Sequence, residues 1–190
     1  MKISLFLFTA LLFSTSSVWA EKSNTDKVVI REVEIGGCHF KMRDPYGGVL
    51  TLTTDRSFHY ANYRVEVNPK SQRRFETEIQ FECHDNVNIS DLSDLAGIGR
   101  ENGKWIINFS GNAAAVNTKL YPLGGQGWDG AGITQDQVGD DGGRSALTFC
   151  IMHHSQALCG QDDTVMYLDY PEESVLPQII RLLNSIKFVN

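Results

Sequence analysis

The chain has 190 residues, 23 acidic and 17 basic side chains, and a formal net charge of −6 at pH 7. Hydrophobic residues at 42% and charged residues at 21% are ordinary globular values and exclude a disordered or low-complexity chain. The acidic balance, with no basic cluster beyond Lys70 to Arg74, sets nucleic-acid binding aside.

The chain opens on an export signal. Lys2 supplies a positive start, Ile3 to Phe13 is an almost unbroken apolar run, and Val18-Trp19-Ala20 offers a cleavage site. The run is short for a membrane span, which needs about 20 apolar residues, so cleavage fits better than an anchor. Removing residues 1–20 takes away Lys2, moves the charge from −6 to −7 and leaves 170 residues (190 minus 20), room for one domain. The expected address is periplasmic or secreted, without a membrane-embedded segment.

Export changes how the cysteines read. Cys38, Cys83, Cys150 and Cys159 make an even count in an oxidising compartment, which points to two disulfides. Three pairings are open, and 38–83 with 150–159 is the simplest. No Cys-x-x-Cys spacing is present, so no structural zinc site is expected.

Strands are then expected at Val28 to Ile35, ended by Gly36-Gly37, at Val49 to Thr53 and at Phe58 to Val67, stopped by Asn68-Pro69. Phe75 to Cys83 carries the clearest pattern. Phe75, Thr77, Ile79, Phe81 and Cys83 fall on one face, and Glu76, Glu78, Gln80 and Glu82 on the other. Slipping that strand by one residue would bury three carboxylates, so its register is strongly specified. Asp91 to Ile98 reads as a short helix capped by Ser90, with Leu92, Leu95 and Ala96 inward. Trp105 to Phe109 and Ala113 to Leu120 read as a strand pair around Ser110-Gly111-Asn112.

Gly124 to Gly143 breaks the regularity. Eight of its twenty residues are glycine, interspersed with Trp128, Asp129, Asp136, Asp140 and Asp141. Such density implies tight turns or a mobile loop, because glycine loses the most backbone entropy on ordering. A long loop in a compact domain is commonly functional. Two readings of Trp128 stay open: an apolar anchor for a partner, or a plug folded back on the sheet.

Two further strands follow, Arg144 to His153 and Thr164 to Asp169, with the Cys150–Cys159 segment between them. After Pro171, Ser174 resembles an N-cap and Pro177 sits in the first helical turn, where its missing N–H does little harm. Leu176, Ile179, Ile180, Leu183 and Ile186 mark one apolar helical face, and Ile186 to Val189 returns to the sheet. The element order implies an α+β class: an antiparallel sheet with a C-terminal helix packed on one face.

Candidate chemistry is sparse. His153 and His154 would point to opposite faces of a persisting strand. His39 and His84 flank Cys38 and Cys83, and a 38–83 bridge would bring them into one region. No Gly-x-Ser-x-Gly elbow occurs, and Asp85 to Gly97 departs from the EF-hand pattern at Val87. Asp136, Asp140 and Asp141 could ligate Ca²⁺, though Asp-Gly clusters more commonly make turns. No catalytic residue, metal or cofactor is expected.

The capped helix Ser174 to Ser185 running into Ser185-Ile186-Lys187-Phe188 resembles the close of Mog1/PsbP-like proteins. The resemblance implies a C-terminal helix and short last strand on an antiparallel sheet. It also implies an exported bacterial setting, in which some members are immunity proteins against type VI secretion effectors. The expected function is binding of a protein partner by occlusion. Trp128 would be the anchor, and Asp129, Asp136, Asp140 and Asp141 would complement a basic rim. The alternatives are a small secreted hydrolase using His and Asp residues near the same segment, and an envelope accessory protein.

Overall fold

The computed structural model describes residues 28–55, 58–68, 70–112, 116–138 and 143–189. The export signal expected at Met1–Ala20 lies outside the described residues, as do Asp140 and Asp141.

Strands β1 (Val29–Ile35) and β2 (Cys38–Asp44) form a hairpin through Gly36–Gly37. β2 is a strand the sequence reading passed over, although its alternation is plain in retrospect. Cys38, Phe40, Met42 and Asp44 are buried, while His39, Lys41 and Arg43 face outward. β3 (Val49–Asp55), β4 (Phe58–Val65) and β5 (Thr77–His84) follow as an antiparallel series. On β5, Thr77, Ile79 and Phe81 are buried and Glu78 is exposed, in the register expected from its alternation.

The next segment differs from expectation. Helix α1 spans only Leu92–Ala96, and Gly97 closes it at φ +64, a left-handed geometry that glycine adopts without steric cost. Its approach is capped at Asn88, whose N–H donates to the Asp91 carboxylate at 2.8 Å, rather than at Ser90. Ile98 opens β6 (Ile98–Glu101), which pairs with β7 (Lys104–Ile107). The partner of the Trp105 strand is therefore β6, not 113–120, and residues 113–115 lie outside the described residues.

Strands β8 (Lys119–Gly125), β9 (Trp128–Gln137), β10 (Arg144–His153) and β11 (Gln156–Tyr167) complete a seven-stranded sheet in the order β3-β4-β5-β11-β10-β9-β8. Helix α2 (Leu176–Leu183) and β12 (Lys187–Phe188) end the chain, and β12 pairs with β2. All pairings are antiparallel. With two short helices, this agrees with the coarse α+β class.

Each face of the large sheet carries its own core. On one, Ile79, Phe81, Phe149, Leu147 and Leu158 pack with Phe40 and Met42 of β2 and with Ile179, Leu182 and Leu183 of α2. On the other, Ala131, Ile133, Cys150 and Cys159 pack with Leu92 and Ala96 of α1 and Ile98 of β6. Each fully buried aliphatic or Phe side chain contributes about 1.5–3 kcal/mol. Strand alternation explains the split, since neighbours such as Phe149 and Cys150 must serve opposite faces.

The two disulfides do different work. Cys38–Cys83 joins β2 to β5, tying the covering layer to the large sheet across 45 residues of chain. Cys150–Cys159 joins directly opposed residues of β10 and β11. Loop entropy makes the first the stronger brace, roughly 4 kcal/mol against roughly 3 kcal/mol. The simplest of the three pairings is thus the one formed. Its second bridge lies inside a hairpin rather than in a connection, because β11 begins at Gln156, eight residues before the strand expected at Thr164.

The covering layer is also held by a buried carboxylate. Asp44 Oδ1 accepts the Tyr63 hydroxyl at 2.7 Å and the Tyr46 and Gly47 N–H groups at 2.9 and 2.8 Å. Its Oδ2 accepts Arg31 Nε at 3.0 Å, and the same guanidinium donates to Gly48 O at 2.7 Å. Burial, and then the bond to Asp44, push the Tyr63 hydroxyl pKa upward.

Candidate functional site

Through Gln137 the glycine-rich segment is strand and tight turn, not a long loop. Its first part is the β8–β9 turn and its middle is β9, the second strand from the sheet edge. Two of its glycines serve close approach. A Cβ at Gly125 would lie 2.3 Å from the Trp128 indole, and one at Gly130 would lie 2.3 Å from Cys150 O. Trp128 itself is 6% exposed and donates its indole N–H to Ile186 O at 2.9 Å. Its body packs in the core shared with Leu123 and Ile186, which is the geometry of the plug.

The residues named for partner binding are not gathered at one place. Trp128 and Asp129 begin β9, and Asp136 lies near its far end, roughly 23 Å away at the strand rise of about 3.3 Å per residue. Asp136 accepts the Asn117 side-chain amide at 2.8 Å. Asp140 and Asp141 lie outside the described residues.

What does gather is one end of the large sheet. The β8–β9 turn brings Gly125, Gly127, Trp128 and Asp129; the β10–β11 turn brings His154; and the approach to α1 brings Val87 to Ile89. β6 contributes Arg100. Together they frame an open depression of about 540 Å³. Main-chain bonding couples these reversals, since Val87 N–H donates to Ser155 O at 2.9 Å. Gln156 adds a side-chain tie, donating to Gly37 O and Asp85 Oδ1 at 2.8 and 2.9 Å.

Arg100 pairs with Asp129 and lies over the Trp105 ring, 4.5 Å from its centroid. Both ends of the ion pair keep solvent contact, at 32% and 47% side-chain exposure. An exposed pair of this kind adds about 0–1 kcal/mol to folding, so its charges are available for recognition. His154 is exposed and turns the chain at φ +58. That turn overrides the expected divergence of the two histidines, whose ring centroids lie 4.3 Å apart. His153 stacks on Phe188 at 4.3 Å, and burial, then the His154 charge, lower its pKa.

His39 and His84 also have local partners. His39 Nε2 bonds Glu32 at 2.8 Å, and His84 lies 3.9 Å from Glu82. All four cysteines are in disulfides. Among the described residues, no three His, Cys, Asp or Glu side chains converge to hold a metal ion. Arg100 escaped the sequence reading, and His154 was weighed only as one of a histidine pair, without a binding role. Both sit in short reversals that carry no periodic signal, and only the unseen β6–β7 hairpin places Arg100.

Two structural facts bear on the protein's class: a paired set of disulfides, which fits an oxidising compartment, and no described helix long and apolar enough to cross a membrane. No protein-family model matches the chain, and no curated protein matches it.

Proposed function

We propose that the protein is an exported, periplasmic protein-binding domain that works by occlusion, with the depression around Arg100, Asp129 and His154 as its contact surface. The observation that supports this reading is the half-exposed Arg100–Asp129 pair beside the edge of Trp128, set among four chain segments that meet at one end of the large sheet. Arginine and tryptophan are the residue types that dominate interface energetics, and a rigid frame spares the ordering cost of binding. Immunity against a secreted effector is the particular form of occlusion that the C-terminal resemblance favours.

The test is calorimetric titration with the purified product of the adjacent gene. Binding is expected, together with relief of that product's toxicity. The Arg100→Ala, His154→Ala double variant should bind at least about tenfold more weakly, a loss of about 1.4 kcal/mol, with an unchanged melting temperature. Unaltered affinity in the double variant removes the depression from the interface, and turnover of a substrate by the protein alone overturns the binding reading.

A further inference from the structure

A second site lies elsewhere on the large sheet, where β5 and β11 part. Their ladder ends at Gln80↔Gln161. On its other side β11 pairs Leu147↔Asp162 and then Ser145↔Met166, so residues 163–165 bulge opposite Ala146. Bulges of this kind re-aim side chains and open a sheet locally. Here they open a groove of about 330 Å³ whose lining is almost wholly polar: Glu76, Glu78, Gln161, Asp162, Asp163 and Thr164.

Asp162 sits at its base, 2% exposed. Oδ1 accepts Thr164 N–H at 2.9 Å, while Oδ2 is buried without a hydrogen-bond partner. A buried carboxylate oxygen lacking a donor is costly and calls for one. The charges around it are mainly of the same sign: Glu78 from β5, Asp163 from β11, and Glu76 ahead of β5, with Arg64 of β4 reaching Glu78 only at 3.8 Å. The facing residues of β10, Ser145 and Leu147, are uncharged.

We infer that this groove binds a protonated amine, with Glu76, Glu78 and Asp163 surrounding its charge and a small turn of the Asp162 carboxyl bringing Oδ2 to accept one of its N–H groups. An ammonium carries three donors and tolerates irregular spacing of acceptors. A metal ion needs ligands that converge, and these carboxylates do not. A flexible alkyl amine fits the narrow polar groove, and either a free polyamine or a lysine side chain supplies that chemistry.

Binding has a proton signature. Burial raises the Asp162 carboxyl to about 7, with the like charges of Asp163 and Glu78 adding to the rise and the main-chain N–H groups of Thr164 and Glu78 opposing it. Near that pH, part of the protein carries Asp162 as the neutral acid. An arriving ammonium favours the carboxylate, so the acid O–H bond breaks, the proton leaves to solvent, and a carboxylate–ammonium pair remains.

The experiment is isothermal titration calorimetry of the exported protein at pH 7 with spermidine and, separately, with Nα-acetyl-lysine amide, each in two buffers of different ionisation heat. Binding with proton release is expected. Spermidine alone binding assigns a free polyamine, and both binding assigns a lysine side chain as sufficient. Asp162→Asn should abolish the proton release and weaken binding about tenfold. Should that variant fail to fold, the exposed changes Glu76→Gln and Glu78→Gln should each weaken binding several-fold. Silence with both amines overturns the inference. So does proton release that persists in Asp162→Asn, or Ca²⁺ displacing the amine at equal concentration.

Discussion

Asp44 and Asp162 are both buried carboxylates on strands, at 0% and 2% exposure, yet their surroundings are opposite. Asp44 receives three hydrogen bonds on one oxygen and a guanidinium on the other. Asp162 accepts the Thr164 N–H on Oδ1, has on Oδ2 no partner at full hydrogen-bond geometry beyond the weaker pull of the Glu78 main-chain N–H, and faces other carboxylates. Asp44 closes a turn and locks a layer; Asp162 is left with unmet bonding capacity beside open space. Burial alone therefore does not define a carboxylate's role: the donors around it do.

The sharpest way to break this comparison is to remove Asp44. Asp44→Ala strands Arg31, the Tyr63 hydroxyl and two N–H groups, and should cost about 3–5 kcal/mol in urea unfolding. A loss under about 1 kcal/mol would show that the network holds nothing together.

Asp162→Asn should act the other way. The folded pKa is raised from 3.8 to about 7, so the folded state keeps a proton that the unfolded chain releases. That stabilisation is complete below pH 3.8 and is lost as pH rises to about 7. The amide that replaces the carboxyl stays neutral throughout. The variant should gain on wild type across that window and be about 2–4 kcal/mol more stable at pH 8, a gap then flat with further increase in pH. A pH-independent difference would remove Asp162 from the titration.

Tyr63→Phe is the gentlest probe. It takes one of four donors from Asp44 and should cost about 1–2 kcal/mol, with the remaining three bonds keeping the layer in place. Urea midpoints with an unchanged slope would confirm a local loss.

Strand β5 was legible because its period of two is written in contiguous residues, Thr77 to Phe81 inward and their neighbours outward. The α2 face was legible for the equivalent helical reason: Ile179, Leu183 and Ile186 are buried as their spacing requires. β9 was not. Its glycines read as flexibility, whereas Gly130 and Gly132 accommodate the β10 backbone at Cys150 and Thr148, a demand from residues far along the chain. β2 was hidden by Asp44, a charge at an inward position that makes sense only once Tyr63 and Arg31 arrive. Of the candidate site, Trp128 and Asp129 were named from sequence as binding residues, His154 only as one of a histidine pair, and Arg100 not at all. Asp136 was named but lies at the wrong end of its strand.

Local order determined the alternation of β5, the apolar stripe of α2 and an even set of cysteines whose simplest pairing forms. Folding in three dimensions decided which face each strand presents, what Trp128 covers, and which of two buried aspartates found its donors. Those outcomes depend on contacts between distant residues, such as Asp44 with Tyr63 and Trp128 with Ile186, and a local pattern carries no record of what will arrive across the sheet.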